Sequence, residues 1–198
     1  MKILFATKNK GKIKEIQEIF SDTSYEICSL NDIFDDIEIE ENADTFEGNA
    51  LIKATTIMKE AGIMVLADDS GLEVDYLNKE PGVYSARYLG EDTPQSVKNE
   101  HILKQLDGVE DSLRTARFVC AMACAMPGEE SFTIRGTIEG CIAKEVKGDN
   151  GFGYDPIFYV PEFDKTMAEL TMEEKNKISH RGQALREMKK QLLERGYI

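Results

Sequence analysis

The run from Ala116 to Met126, ARFVCAMACAM, carries one charged residue and shows no alternation of apolar and polar positions. A stretch that apolar suits a strand buried on both faces, a place available only inside a sheet covered on both sides. Other segments read as further strands or as helices. Lys2 to Thr7, KILFAT, has the β-branched and aromatic character of a first strand, and Tyr25 to Leu30 reads as a second. Val65 to Ala67 reads as the end of a buried strand, with Gly71 turning the backbone four residues later. Ser131 to Val146, with Gly136 and Gly140, suggests a hairpin or a bent strand pair, and Ile157 to Val160 another strand.

Helical spacing marks the intervening segments. Ile13, Ile16, Ile19 and Phe20 define a helix that follows the first strand through a lysine-rich turn. A second helix is capped at Asp44 or Thr45, runs through Phe46, Ala50, Leu51, Ala54, Ile57 and Met58, and ends at Gly62. Thr93-Pro94 opens a third, which carries Val97, Ile102, Leu103 and Leu106 and closes near Gly108. A last helical region starts at Thr171, is re-capped near Ser179, and puts Ala184, Leu185, Met188, Leu192 and Leu193 on one stripe.

With 198 residues and no break in composition, the chain is expected to be one domain, residues 1–198, with room for two lobes. The start MKILFAT holds no signal-peptide hydrophobic region, and the apolar runs are too short to span a bilayer, so a soluble cytoplasmic protein is expected. Cys28, Cys120, Cys124 and Cys141 have neither CxxC pairing nor zinc-type spacing and read as reduced, mostly buried thiols. A net charge of −13 opposes binding to nucleic acid. It leaves room for a small phosphorylated ligand, because a local lysine cluster or an acid-held metal can bind a triphosphate inside an acidic protein.

Five places carry the residue types for such chemistry. The turn Thr7-Lys8-Asn9-Lys10-Gly11-Lys12 offers hydroxyl, amide, ammonium and backbone N–H groups at a helix start, where anions are favoured, although it lacks the Walker pattern. Asp68 and Asp69 are adjacent carboxylates at a strand end, so only one can face a given ligand, and a carboxylate there suits Mg²⁺. Between Asp32 and Asp44 the chain is densely acidic; Ile37 and Ile39 alternate with Glu38 and Glu40, as in a strand with acids on one face, and either Glu40 or Glu41 could reach the metal. Lys147 to Val160 sets Gly148, Gly151 and Gly153 around and before Phe152 and Tyr154, flexible backbone suited to gripping a planar ring. Lys175, His180 and Arg181 gather at a helix beginning, which conflicts with the macrodipole unless something anionic or electron-rich is there. Asn49 and Lys53 share a helix face with a polar reach, and His101 reads as a packing or surface residue.

In order along the chain, ATKNKGK, TFEGNALIKA, ADDSGL, PGVYSARY, GFGYDPIF and EEKNKISHRGQAL resemble the motifs of the inosine and xanthosine triphosphate pyrophosphatase family from end to end. The resemblance implies an α/β protein with a long curved mixed sheet and flanking helices, forming two lobes around a central substrate groove, and usually a homodimer. It implies Mg²⁺-dependent cleavage of ITP, dITP or XTP between the α and β phosphates. By the same resemblance Thr7, Asn9 and Lys12 meet the triphosphate, Glu41 or its neighbour Glu40 binds metal, and Asp69 is metal ligand or general base with Asp68 beside it. Ser70 is then at the substrate, Phe152, Gly153, Tyr154 and Asp155 form the base-gripping loop, and Lys175, His180 and Arg181 read phosphate and the 6-oxo edge. Gly48 departs from the acid common before Asn49, and Asn78-Lys79-Glu80 from a glycine-rich turn. A pyrophosphatase of other base specificity, or a non-catalytic nucleotide-binding module, would carry several of the same features.

Overall fold

The structure, a computed structural model, describes residues 2–35, 37 and 39–198. Its elements run β1 (Lys2–Phe5), α1 (Lys10–Ile19), β2 (Glu26–Ser29), α2 (Phe46–Ala61), β3 (Met64–Val74), α3 (Gln95–Gln105), β4 (Thr115–Ala125), β5 (Phe132–Ile142), β6 (Phe158–Val160), β7 (Lys165–Thr166), α4 (Met172–Ile178) and α5 (His180–Glu194), with short 3-10 turns between. The strands form a mixed seven-stranded sheet in the order β2-β1-β3-β4-β5-β6-β7. β1 is parallel to β2 and β3, and β6 is antiparallel to β5 and β7. As its composition requires, β4 occupies the middle of the sheet, and Ala116 and every residue from Phe118 to Ala125 are buried.

The chain divides into two compact units: residues 1–69, 120–136 and 181–198 make the first, and residues 70–119 and 137–180 the second. In the first unit, α1 and α5 pack on one sheet face, where Ile16 and Phe20 meet Ala184, Leu185, Met188 and Leu192 over Ile3, Phe5, Met64, Leu66, Cys120, Met122 and Cys124. Helix α1 starts where Asn9 accepts from the N–H groups of Gly11 and Lys12, and α2 starts where the Thr45 hydroxyl accepts from Gly48 N and ends at Gly62 in the left-handed region. The second unit has its own core of Leu72, Val74, Ile102, Leu106, Ala116, Phe118, Ile157, Phe158 and Met167, among others. Burial of each set removes apolar surface from water, the dominant favourable term in folding.

Four sequence expectations change. Gly71 does not turn the chain: β3 runs on to Val74, because Leu72 and Val74 continue the buried alternation into the second core. Ser131 to Val146 holds one strand, Phe132–Ile142, rather than a hairpin or a bent strand pair. Gly140 serves close approach instead, since a Cβ there would lie 2.4 Å from the Tyr159 carbonyl oxygen. Between Ile33 and Asp44 no strand forms among the described residues, and Glu38 lies outside them. On α5 the stripe is narrower than its spacing suggests, with Leu193 exposed.

Candidate active site

In the first unit the site is built around β3. Met64, Leu66 and Asp68 point to the face covered by α1 and α5, so Asp68 meets cations supplied by those helices. Lys12 Nζ approaches its two oxygens at 2.8 and 3.0 Å, and Arg181 Nε lies 3.5 Å from Oδ2. Arg181 is also 3.6 Å from Glu15, a carboxylate that sequence reasoning had not singled out. Asp68 is 1% exposed. Burial alone would raise its pKa, but Lys12, Arg181 and Lys53 outweigh burial and hold the carboxyl well below its usual range.

Asp69 points to the opposite face, and α2 supplies its surroundings. Asn49, 1% exposed, donates from Nδ2 to Asp69 Oδ2 at 3.0 Å while its Oδ1 accepts from Ala43 N at 2.9 Å. Asn49 thus ties the acidic segment to the strand. One turn on, Lys53 Nζ donates to the Asp68 main-chain oxygen at 2.9 Å and pairs with Glu41 at 3.0 Å. Burial raises the Asp69 pKa, opposed by Asn49 and Lys53 and reinforced by the charges of Glu41 and Asp68. Adjacent carboxylates are thereby pushed in opposite directions.

The lysine-rich turn is more engaged than its sequence suggests. Thr7 is buried and its hydroxyl accepts from Asn9 N at 3.1 Å; Asn9 Oδ1 accepts from Gly11 N at 2.9 Å and Lys12 N at 3.2 Å. Two N–H groups expected to face an anion are thus spent on the N-cap, and the Lys12 ammonium on Asp68, leaving Lys8 and Lys10 exposed beside them.

In the second unit the glycine-rich loop is clamped from within. Asp155 is buried; its Oδ2 accepts from Phe152 N at 2.8 Å and from Lys175 Nζ at 2.5 Å. The same ammonium lies 4.7 Å from the centre of the exposed Phe152 ring. Gly151, at φ +81, is required here, because a Cβ would lie 2.2 Å from Asp155 Oδ2. Burial pushes the Tyr154 hydroxyl up to about 12, so it stays protonated and donates to Ser85 O at 2.7 Å. His180 stacks on Phe118 with ring centres 5.2 Å apart. His101 does pack, edge-on against Tyr88.

The donor set fits a hard divalent ion. Glu41 and Asp69 provide carboxylate oxygens coupled through their charges, while Glu40 is exposed. Among the described residues no group of three His, Cys, Asp or Glu side chains converges. No helix of the described residues is long and apolar enough to cross a membrane.

Sheet and side chains together define an α/β protein whose strand β3 presents two carboxylates, one locked by cations and one beside a second acidic segment. More particularly, the chain belongs to the Ham1 family, whose family model matches residues 3–191. The dITP/XTP pyrophosphatase of Bacillus licheniformis is 53% identical over 186 residues, covering 94% of this chain and 95% of that one. The dITP/XTP pyrophosphatase of Bacillus subtilis is 52% identical, covering 96% of each. A solved structure of the Staphylococcus aureus Ham1 protein matches with a TM-score of 0.92 at 42% identity, covering 98% of this chain and all of that one.

Proposed function

We propose that the protein hydrolyses dITP, ITP and XTP to the nucleoside monophosphate and pyrophosphate, in a Mg²⁺-dependent reaction. The observation that carries this reading is the asymmetry of the Asp68–Asp69 pair. Asp68, buried and held by Lys12 and Arg181, is an anchor that stays ionised. Asp69, raised by burial and oriented by Asn49, is suited to take a proton from the attacking water. Water oxygen attacks the α-phosphorus, the bond to the bridging oxygen of the β-phosphate breaks, and pyrophosphate leaves. Glu41 and Asp69 would hold Mg²⁺, which when bound supplies charge neutralisation at the phosphates.

Thr7 to Lys12 and Ser70 then serve the phosphates, with Lys8 and Lys10 as the exposed cations of the turn. Phe152 offers its exposed ring to the base, and Gly153, Tyr154, Asp155 and Lys175 shape the loop that presents it. His180 and Arg181 complete the basic group. A buried donor set reading a 6-oxo edge rejects adenine, whose amino group would leave donors facing donors. The names of the relatives support the substrate class. Pyrophosphate release with Mg²⁺ across dITP, XTP, dGTP, dATP and dUTP tests the reading; turnover of dUTP or dATP above dITP and XTP would sink it. The homodimer and cytoplasmic location implied by the resemblance belong to the same proposal and are checked by sedimentation equilibrium and cell fractionation.

A further inference from the structure

The glycine-rich loop has a second support, from a helix outside the proposed chemistry. Asn99 on α3 is 4% exposed, and its Nδ2 donates to the carbonyl oxygen of Gly153 at 3.1 Å. One turn earlier, Gln95 donates from Nε2 to Asn99 Oδ1 at 3.0 Å, so the network settles which end of the Asn99 amide faces the loop. The adjoining Lys98, also buried, donates to Ala86 O at 2.6 Å. That places α3 against the 3-10 turn Gly82–Arg87, whose Ser85 carbonyl receives the Tyr154 hydroxyl at 2.7 Å. Ser85 Oγ in turn donates to Gly82 O at 2.6 Å and accepts from Leu72 N at 2.9 Å, fixing this turn to β3.

Two successive loop residues are therefore pinned by buried polar groups, Gly153 through its carbonyl and Tyr154 through its hydroxyl. Gly153 is at φ +63, a backbone state easily lost when nothing fixes the next peptide plane. Rotation of the Gly153–Tyr154 peptide would carry Phe152 and Asp155 with it, since Phe152 N donates to Asp155 Oδ2 across the same turn.

We propose that Asn99 is a positioning residue for base recognition: by holding the Gly153 carbonyl it fixes the orientation in which the loop presents Phe152 to a purine. This rests on the reading that the loop at 152–155 grips the base. A residue serving only to satisfy a buried carbonyl would change stability and leave recognition alone, and the two roles separate in kinetics. Asn99→Ala should raise the KM for dITP about tenfold, the size of one lost hydrogen bond, with kcat within about twofold of wild type. It should also narrow the preference for dITP over dGTP in kcat/KM. Asn99→Asp, which sets a carboxylate oxygen against the Gly153 oxygen, should raise KM further. Gln95→Ala keeps the Asn99 side chain but releases its amide, and also removes the hydrogen bond between Gln95 and Tyr154 in the same loop. It should give a smaller rise in KM, and it carries the test if the Asn99 variants do not fold. Thermal unfolding is measured alongside. A lower melting temperature with wild-type KM and wild-type preference between dITP and dGTP would overturn the inference. A wild-type protein that releases no pyrophosphate from dITP would remove the functional reading and this inference with it, an outcome visible without any variant.

Discussion

Replacing Asp68 by Asn tests the claim that this carboxylate is an anchor. In the wild type one buried anion answers Lys12 at 2.8 Å and Arg181 at 3.5 Å, with Lys53 on its main-chain oxygen. Breaking a buried ion pair by removing one partner costs roughly 3–5 kcal/mol, because the remaining charges stay desolvated. The Asn oxygen can still accept from Lys12, so the lower end, about 3 kcal/mol, is the expected loss. For a chain of this length each kcal/mol moves Tm by about 2–4 °C, giving a fall of roughly 6–12 °C. The assay is thermal unfolding followed by circular dichroism, for both proteins, between pH 8 and pH 3. Because the folded-state pKa of Asp68 lies below its ordinary value of 3.8, its contribution is fully present above that value and is lost as pH falls through the folded pKa. The gap between the two melting curves should therefore hold constant from pH 8 to about 5 and narrow only below about 4. Equal Tm values at pH 7.5 would refute the anchor. So would a gap that widens as the pH falls from 7 to 5, the signature of a raised pKa instead of a depressed one.

Asp69→Asn should abolish nearly all pyrophosphate release while equilibrium binding of dITP persists; wild-type turnover would take Asp69 out of the chemistry. Asn49→Ala leaves Ala43 N without its acceptor and Asp69 without its donor, so a loss of about 2–4 kcal/mol in urea unfolding and a lower kcat are expected. Gly48→Ala would set a Cβ 2.6 Å from that of Ala43 and 3.0 Å from the Thr45 hydroxyl. Overpacking of this kind costs about 1–3 kcal/mol, readable in the urea midpoint, and an unchanged midpoint would show that the loop yields freely. Chelation with EDTA should stop turnover and added Mg²⁺ restore it; full activity in chelator would refute the metal assignment.

What was legible in the sequence follows what is local. The cap at Thr45, the start at Thr171, the stop at Gly62 and the break before His180 are decided by a few neighbouring residues, and each stands as its residue types suggested, whereas the cap at Asn9 takes N–H groups expected to face an anion. The period of a strand was enough to say that Asp68 and Asp69 face opposite ways. It could not say which faces what, since that depends on α1 and α5 covering one side and α2 reaching the other. Gly71 and Gly140 misled for a related reason: a glycine inside a strand can mark a turn or a close approach, and only the partner decides. Gly48, a departure from the family pattern, has its reason in the Ala43 side chain five residues back. Asn99 was missed although a signal exists, a polar residue in register with Ile102 and Leu106 on the buried side of α3.

The division of the chain has a consequence for how the molecule can be made or taken apart. The backbone passes between the two units at 69/70, 119/120, 136/137 and 180/181, and the first three of these passages lie within strands. No fragment that stops anywhere from residue 70 to residue 179 contains either unit whole. The unit that opens at the N-terminus is finished only by its final 18 residues, 181–198, which bring Ala184, Leu185, Met188 and Leu192 to its core. During synthesis the unit begun first is therefore completed after the other, and Asp68 on β3 waits for Arg181 until the whole of the second unit has been made.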